Sequence, residues 1–166
     1  MTVEEVFDAA RRRLADAPRE ALGELVVPRR ILGVARAPRI ERRGAAWHLG
    51  VLLLTDDAVL ATGDIIRARQ EARRGYTAES QRRRAELAAA ARRGGFAEGE
   101  TVHIGWRPLA LDAFETGTFS KHEPTGPLIR TGEGLGVRWS ASGAPVPLEA
   151  YVAERVALLL DPPPGA

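Results

Sequence analysis

The chain has 166 residues, 45% of them hydrophobic, and a net charge of +2, which fits about one domain with a core of its own. It has no cysteine; this excludes disulfides, zinc–cysteine sites, iron–sulfur clusters and a thiol nucleophile, and fits a reducing, cytoplasmic setting. The amino terminus has no basic segment leading into an apolar core, and the longest apolar runs, such as 51–54 and 156–160, are too short for a bilayer, so neither a signal peptide nor a membrane span is expected.

Thr2 and Glu5 make a capping-box pattern, in which each side chain satisfies a free backbone donor of the first helical turn. Val3, Val6, Phe7, Ala10 and Leu14 then recur at helical spacing, and Arg11, Arg12 and Arg13 suit the negative end of the dipole. Pro18 stops this helix or starts a short second one through Leu22. Residues 24–41 hold short extended pieces, where Pro28 and Pro38 favour edge or irregular strands. Arg43-Gly44 reads as a turn before the main hairpin. Residues 47–66 form that hairpin: an apolar run over 51–54, a turn at Thr55-Asp56-Asp57, a return over 58–62, and a break at Gly63-Asp64 before Ile65-Ile66.

Residues 77–93 predict a helix capped by Thr77 and ended by Gly94-Gly95. Its apolar face, Ala78, Ala85, Leu87, Ala88 and Ala91, has one large side chain, so the helix should bury little and lie at the surface. Residues 101–106 alternate as a strand, with Val102, Ile104 and Trp106 on one face and His103 and Gly105 on the other. Residues 112–126 read as a long loop. Residues 127–130 and 135–140 read as a second hairpin around Gly132-Glu133-Gly134. The last helix begins near Pro147, with Leu148, Tyr151, Val152, Val156 and Leu159 on its core face. Trp47, Trp106 and Trp139 each fall in a predicted strand, where packing on the sheet is expected. Together these predict one α+β domain, 1–166. Its antiparallel sheet has about five to seven strands, open or barrel-like, with N-terminal, middle and C-terminal helices.

Charge is uneven along the chain. Residues 1–96 carry 19 arginines against 13 acids, and residues 97–166 carry five bases against nine acids. Lys121 is the only lysine, so the positive charge is almost all guanidinium, which binds phosphates and carboxylates bidentately. Arginine codons of a GC-rich genome account for the same bias. Between Arg67 and Arg93 stand nine arginines against three glutamates. Arg73, Arg74, Arg82, Arg83, Arg84, Arg92 and Arg93 are the candidate contacts for an anion or a nucleic acid, because clustered guanidinium groups displace counterions from phosphates. Arg82, Arg83 and Arg84 point about 100° apart on a helix. Stacking rings are nearly absent from the segment, so nucleic acid is the less favoured ligand. A solvated, salt-bridged surface also explains the charge.

His48, His103 and His122 stand at no metal-ligand spacing, so no metal or other cofactor is expected. Ser120-Lys121-His122-Glu123 gathers groups that hydrolases use. It is neither Ser-x-x-Lys on a helix nor a nucleophile elbow. With His48 and His103, the pair His122 and Glu123 forms an alternative candidate pocket. Gly132-Glu-Gly-Leu-Gly136 lacks the helix that a dinucleotide fingerprint needs and reads as a turn. Asp56-Asp57 also reads as turn chemistry before a cation site.

The run Gly50-Val-Leu-Leu-Leu-Thr-Asp-Asp-Ala-Val-Leu-Ala-Thr-Gly63 resembles the hairpin of bacterial pleckstrin-homology-like and GRAM-like domains. Those carry an apolar strand ending in Leu-Thr, a polar turn and a hydrophobic return strand. The resemblance covers this hairpin and implies a C-terminal amphipathic helix, expected here over 147–160. The whole chain also resembles small uncharacterised proteins from actinobacteria, some of which carry the label glutaminase. The cysteine nucleophile of amidotransferases and the motif of serine-type glutaminases are both missing. Three functions stay open. The first is a non-catalytic cytoplasmic binding or scaffold module, in one version a homo-oligomer. The second is a hydrolase of a small amide with its site around His103 and the 112–126 loop. The third is anion or nucleic-acid binding through the arginine-rich segment 67–93. The lack of a preassembled catalytic constellation favours the first.

Overall fold

The structure is a computed structural model that describes residues 1–29, 33, 36–70, 78–117, 126–132 and 134–165. In chain order its elements are α1 (Val3–Arg13), β1 (Glu20–Val26), β2 (Arg39–Leu49), β3 (Leu52–Leu54), β4 (Val59–Ala61), β5 (Asp64–Arg67), α2 (Glu79–Arg93), β6 (Thr101–Ile104), β7 (Arg107–Pro108), α3 (Leu111–Thr116), β8 (Leu128–Thr131), β9 (Gly134–Val137), β10 (Val146–Pro147) and α4 (Leu148–Leu160). The α+β class expected from the sequence is present, with helices at the start, middle and end of the chain. Among the described residues, no helix is long and apolar enough to cross a membrane.

The chain divides into two compact units. Met1–Arg19, Ala46–Thr62 and Arg107–Ala166 make the terminal unit, which holds both chain ends; Glu20–Ala45 and Gly63–Trp106 make the inserted unit. Strand β2 belongs to the inserted unit up to Ala45 and to the terminal unit from Ala46.

In the terminal unit, α1 starts as its capping box requires. The Thr2 hydroxyl accepts from the Glu5 amide at 3.2 Å, and the Glu5 carboxylate accepts from the Thr2 amide at 2.7 Å. Val3, Val6, Phe7 and Ala10 face inward from α1, and Leu148, Tyr151, Val152 and Val156 from α4. They share one core with Trp47, Leu49, Leu52 and Leu54. Strands run in the order β2–β3–β4–β7, all pairs antiparallel, and β10–β9–β8 form a separate antiparallel sheet. The turn at Thr55-Asp56-Asp57 joins β3 to β4 as expected.

Three expectations fail in this unit. The apolar stretch 47–54 is two strands, because Gly50, at φ 68°, turns the chain between β2 and β3. The Tyr151 hydroxyl of α4 donates to the Leu49 carbonyl at 3.1 Å and accepts from the Val51 amide at 2.9 Å. A Cβ on Gly50 would overlap that hydroxyl, so both the backbone angle and the space require glycine. Residues 112–116, expected as the start of a loop, lie in α3, because Phe114 is buried in the core and Leu111 packs against it. Residues 118–125 of that predicted loop lie outside the described residues. Trp139 follows β9 instead of lying in it, and is exposed.

In the inserted unit the strand order is β5–β6–β1–β2. β5 and β6 are antiparallel, but β1 and β6 are parallel, with Ala21 opposite Val102 and Leu22 opposite His103. The expected antiparallel sheet therefore contains a parallel pair. Of the two alternatives at Pro18, a stop or a short second helix through Leu22, the helix is not formed: strand β1 begins at Glu20, because pairing with neighbours on both sides outweighs local propensity. Arg43 and Gly44, expected as a turn, lie inside β2. The core is Ala21, Ile40, Ile66, Ala68, Ala90, Ala91, Phe96, Val102 and Ile104. Helix α2 has Ala78 at its N-cap, and the expected cap Thr77 lies outside the described residues. The helix is not wholly at the surface: Ala88 to Ala91 are buried, while 79–84 are exposed. A Cβ on Gly94 would overlap the Ile40 carbonyl, so the end of α2 lies directly against the β2 backbone.

Candidate anion-binding groove

Strand β5 alternates as its period of two requires: Ile66 is buried, while Ile65 and Arg67 are exposed. Beyond the strand the alternation continues. Ala68 is buried, its amide donating to the Glu100 carbonyl at 2.9 Å, and Arg69 is exposed. The Arg69 amide donates to the Ala88 carbonyl of α2 at 3.2 Å and ties the strand extension to the helix. On α2, Gln81, Arg84, Ala85 and Ala88 stand at i, i+3, i+4 and i+7, one face of the helix. Together the strand face and the helix face line a groove of about 490 Å3, with Ile65, Ile66 and the two alanines as apolar surface and Arg67, Arg69, Arg84 and Gln81 as polar groups.

The electrostatics distinguish these arginines from their neighbours. The inserted unit carries 15 arginines against nine acids, a net +6, and the terminal unit nine bases against 13 acids, a net −4. Arg39 pairs with Glu41 at 2.7 Å, Arg42 with Glu100 at 2.7 Å and Arg43 with Glu24 at 2.6 Å. The hydrogen bond from Arg39 holds the Glu41 carboxyl below its ordinary range, and the Glu24 carboxylate raises the Arg43 guanidinium. Burial pushes the Glu100 carboxyl up, but the Arg42 and Ala97 hydrogen bonds together outweigh it and the net direction is down. Arg67, Arg69 and Arg84 have no ion-pair partner among the described residues. They present delocalised, permanently charged donors to the groove.

Of the arginines singled out from the sequence, Arg84 lines this groove. Arg82 and Arg83 are exposed on other faces of α2, as steps of about 100° require. Arg92 donates to the Phe96 carbonyl and pairs with Glu98 at 3.3 Å, and Arg93 donates to the Pro38 carbonyl at 2.8 Å. Arg73 and Arg74 lie outside the described residues. Arg67 and Arg69 belong to the charged segment but are not among those candidates; their i, i+2 spacing around Ala68 is the signal that marks them as one strand face.

His103, fully buried in β6, donates from Nε2 to the Glu20 carboxylate of β1. A carboxylate only accepts, so this bond fixes the proton on Nε2. His48 of β2 is half-buried and donates from Nε2 to the Gly50 carbonyl at 2.9 Å. His122 and Glu123, with Ser120 and Lys121, lie outside the described residues. In the turn after β3, Asp56 is held bidentately by Arg19 at 2.8 and 2.7 Å, and Asp57 accepts from the Thr55 hydroxyl at 2.8 Å. No family model matches this chain, and neither does any curated protein or solved structure.

Proposed function

We propose that the chain is a non-catalytic binding module that takes an anion into the groove between β5 and α2. One observation carries this reading: Arg67, Arg69 and Arg84 line a single groove with no carboxylate partner among the described residues, in a unit of net +6. Like charges held together repel, so an arriving anion relieves the repulsion and gains charge-assisted hydrogen bonds. Each such bond contributes about 1.5–3 kcal/mol. The groove volume falls in the range of small-ligand sites, roughly 300–1,000 Å3. Its described lining is apolar, guanidinium and amide in character, which suits binding and orientation more than proton transfer or nucleophilic attack. The cysteine-free composition agrees with a cytoplasmic setting.

Calorimetric titration with sodium tripolyphosphate tests this reading. It predicts saturable binding that weakens as salt is raised. Arg84→Ala should weaken it about tenfold, the equivalent of one lost charge-assisted bond. Binding insensitive to both salt and this substitution contradicts the proposal.

A further inference from the structure

A second groove, of about 380 Å3, belongs wholly to the terminal unit. Arg107 of β7 lines it together with Arg138, Trp139 and Ser140, which follow β9. Trp139 is 52% exposed, whereas Trp47 is 1% exposed in the core. The walls are fixed by backbone bonds: the Arg138 amide donates to the Pro127 carbonyl at 2.7 Å, and the Thr62 amide to the Val51 carbonyl at 3.1 Å. Ser140 accepts from the Gly143 amide at 2.9 Å and keeps its own O–H as a donor.

The charge here runs against that of its unit. The terminal unit is net −4, yet two exposed guanidinium side chains reach this one groove. Within the unit Arg19 pairs with Asp56, Arg11 with Asp8 and the Thr55 carbonyl, and Arg130 donates to the Phe114 and Glu115 carbonyls. Arg138 has no ion-pair partner among the described residues. An exposed indole offers a stacking face, and neighbouring guanidinium groups offer an anion site. A ligand satisfying both carries a flat ring and a negative charge on one small body.

We infer that this groove binds a planar aromatic anion, its ring stacked on Trp139 and its phosphate or carboxylate held by Arg107 and Arg138. A mononucleotide and an aryl carboxylate share that chemistry. The inference shares no residue with the β5–α2 groove and stands independently of it.

Tryptophan emission and calorimetry on the full chain, with adenosine 5′-monophosphate and benzoate as probes, test it. Saturable binding of either probe is expected; preference for the first identifies a nucleotide source, and for the second an aryl acid. Adenosine and inorganic phosphate, each lacking half of the recognised chemistry, should bind at least about tenfold more weakly. Trp139→Phe should remove the emission change, and Arg138→Glu should abolish binding while Trp139 still emits. Both side chains are exposed, so an unchanged melting temperature is expected for each variant. If Trp139→Phe nevertheless unfolds, the Arg138→Glu titration decides alone. No saturable binding of either probe in either readout, or binding unaffected by Arg138→Glu, overturns the inference.

Discussion

The core of the terminal unit sets Phe7, Trp47, Phe114 and Tyr151 among leucines and valines, whereas four of the nine buried members of the inserted unit's core are alanine and Phe96 is its one aromatic. Stabilisation by burial scales with apolar area, at roughly 25 cal/mol per Å2, so an alanine methyl contributes a fraction of what a leucine or tryptophan does. The charges divide in the opposite sense, net −4 in the first unit and +6 in the second. The two differences are connected through α2. Small residues at Ala88 to Ala91 let the helix lie close enough for the Arg69 amide to reach the Ala88 carbonyl, and a larger side chain at Ala85 or Ala88 would fill the groove. Weak burial and an open charged groove therefore have one cause, the alanine face of this helix.

The largest expected effect lies in the aromatic core. Trp47 is buried, its indole N–H donates to the Ala17 carbonyl at 3.2 Å, and Arg19 stacks over its ring at 3.9 Å. Trp47→Ala should lower stability by about 3–5 kcal/mol in denaturant titration. A loss near that of a surface substitution would show that this core does not hold the unit together. Overpacking the alanine core comes next. Ala91→Leu should cost about 1–3 kcal/mol, and amide exchange should accelerate first in β5, β6 and α2. Exchange that accelerates equally across β3, β4 and α4 would dissolve the contrast between the units.

The smallest effect is acidic. Glu41 and Glu100 lie below their ordinary value of 4.5 when folded. Hydrogen bonding from Arg39 is the first cause for Glu41; for Glu100 the Arg42 and Ala97 bonds overcome burial. A carboxyl lowered by folding stabilises above its unfolded value, and the contribution is lost as pH falls below about 4.5. The same sign holds for Asp56 beside Arg19 in the terminal unit. These pairs are largely exposed, so solvent keeps each contribution small. The melting temperature should fall modestly below about pH 4.5, and Glu41→Gln with Glu100→Gln should flatten the decline. An unaltered decline in that double variant assigns the acid sensitivity to other groups.

Features specified within a few residues were legible in the sequence. The capping box of Thr2 and Glu5, the apolar spacing of α1 and α4, and the Thr55-Asp56-Asp57 turn are all local. Features fixed from a distance were not. The turn at Gly50 depends on the hydroxyl of Tyr151, about a hundred residues further on. Strand β1 depends on a parallel partner in β6, because Glu20 to Val26 has too little local pattern to separate strand from helix. The groove was legible in part: the charged segment is conspicuous, but its sorting is spatial. Glu41, Glu98 and Glu100 neutralise Arg39, Arg92 and Arg42, and only the approach of α2 to the end of β5 brings Arg84 to the groove of Arg67 and Arg69.

Amide chemical-shift mapping during titration with tripolyphosphate tests the central claim most directly, that Arg67, Arg69 and Arg84, which have no ion-pair partner among the described residues, take up an anion. The account predicts saturable shifts in 65–69 and 81–88, lost in the R67E/R69E/R84E variant while its melting temperature stays near that of the parent chain. Saturable binding that leaves those two segments unshifted would contradict it.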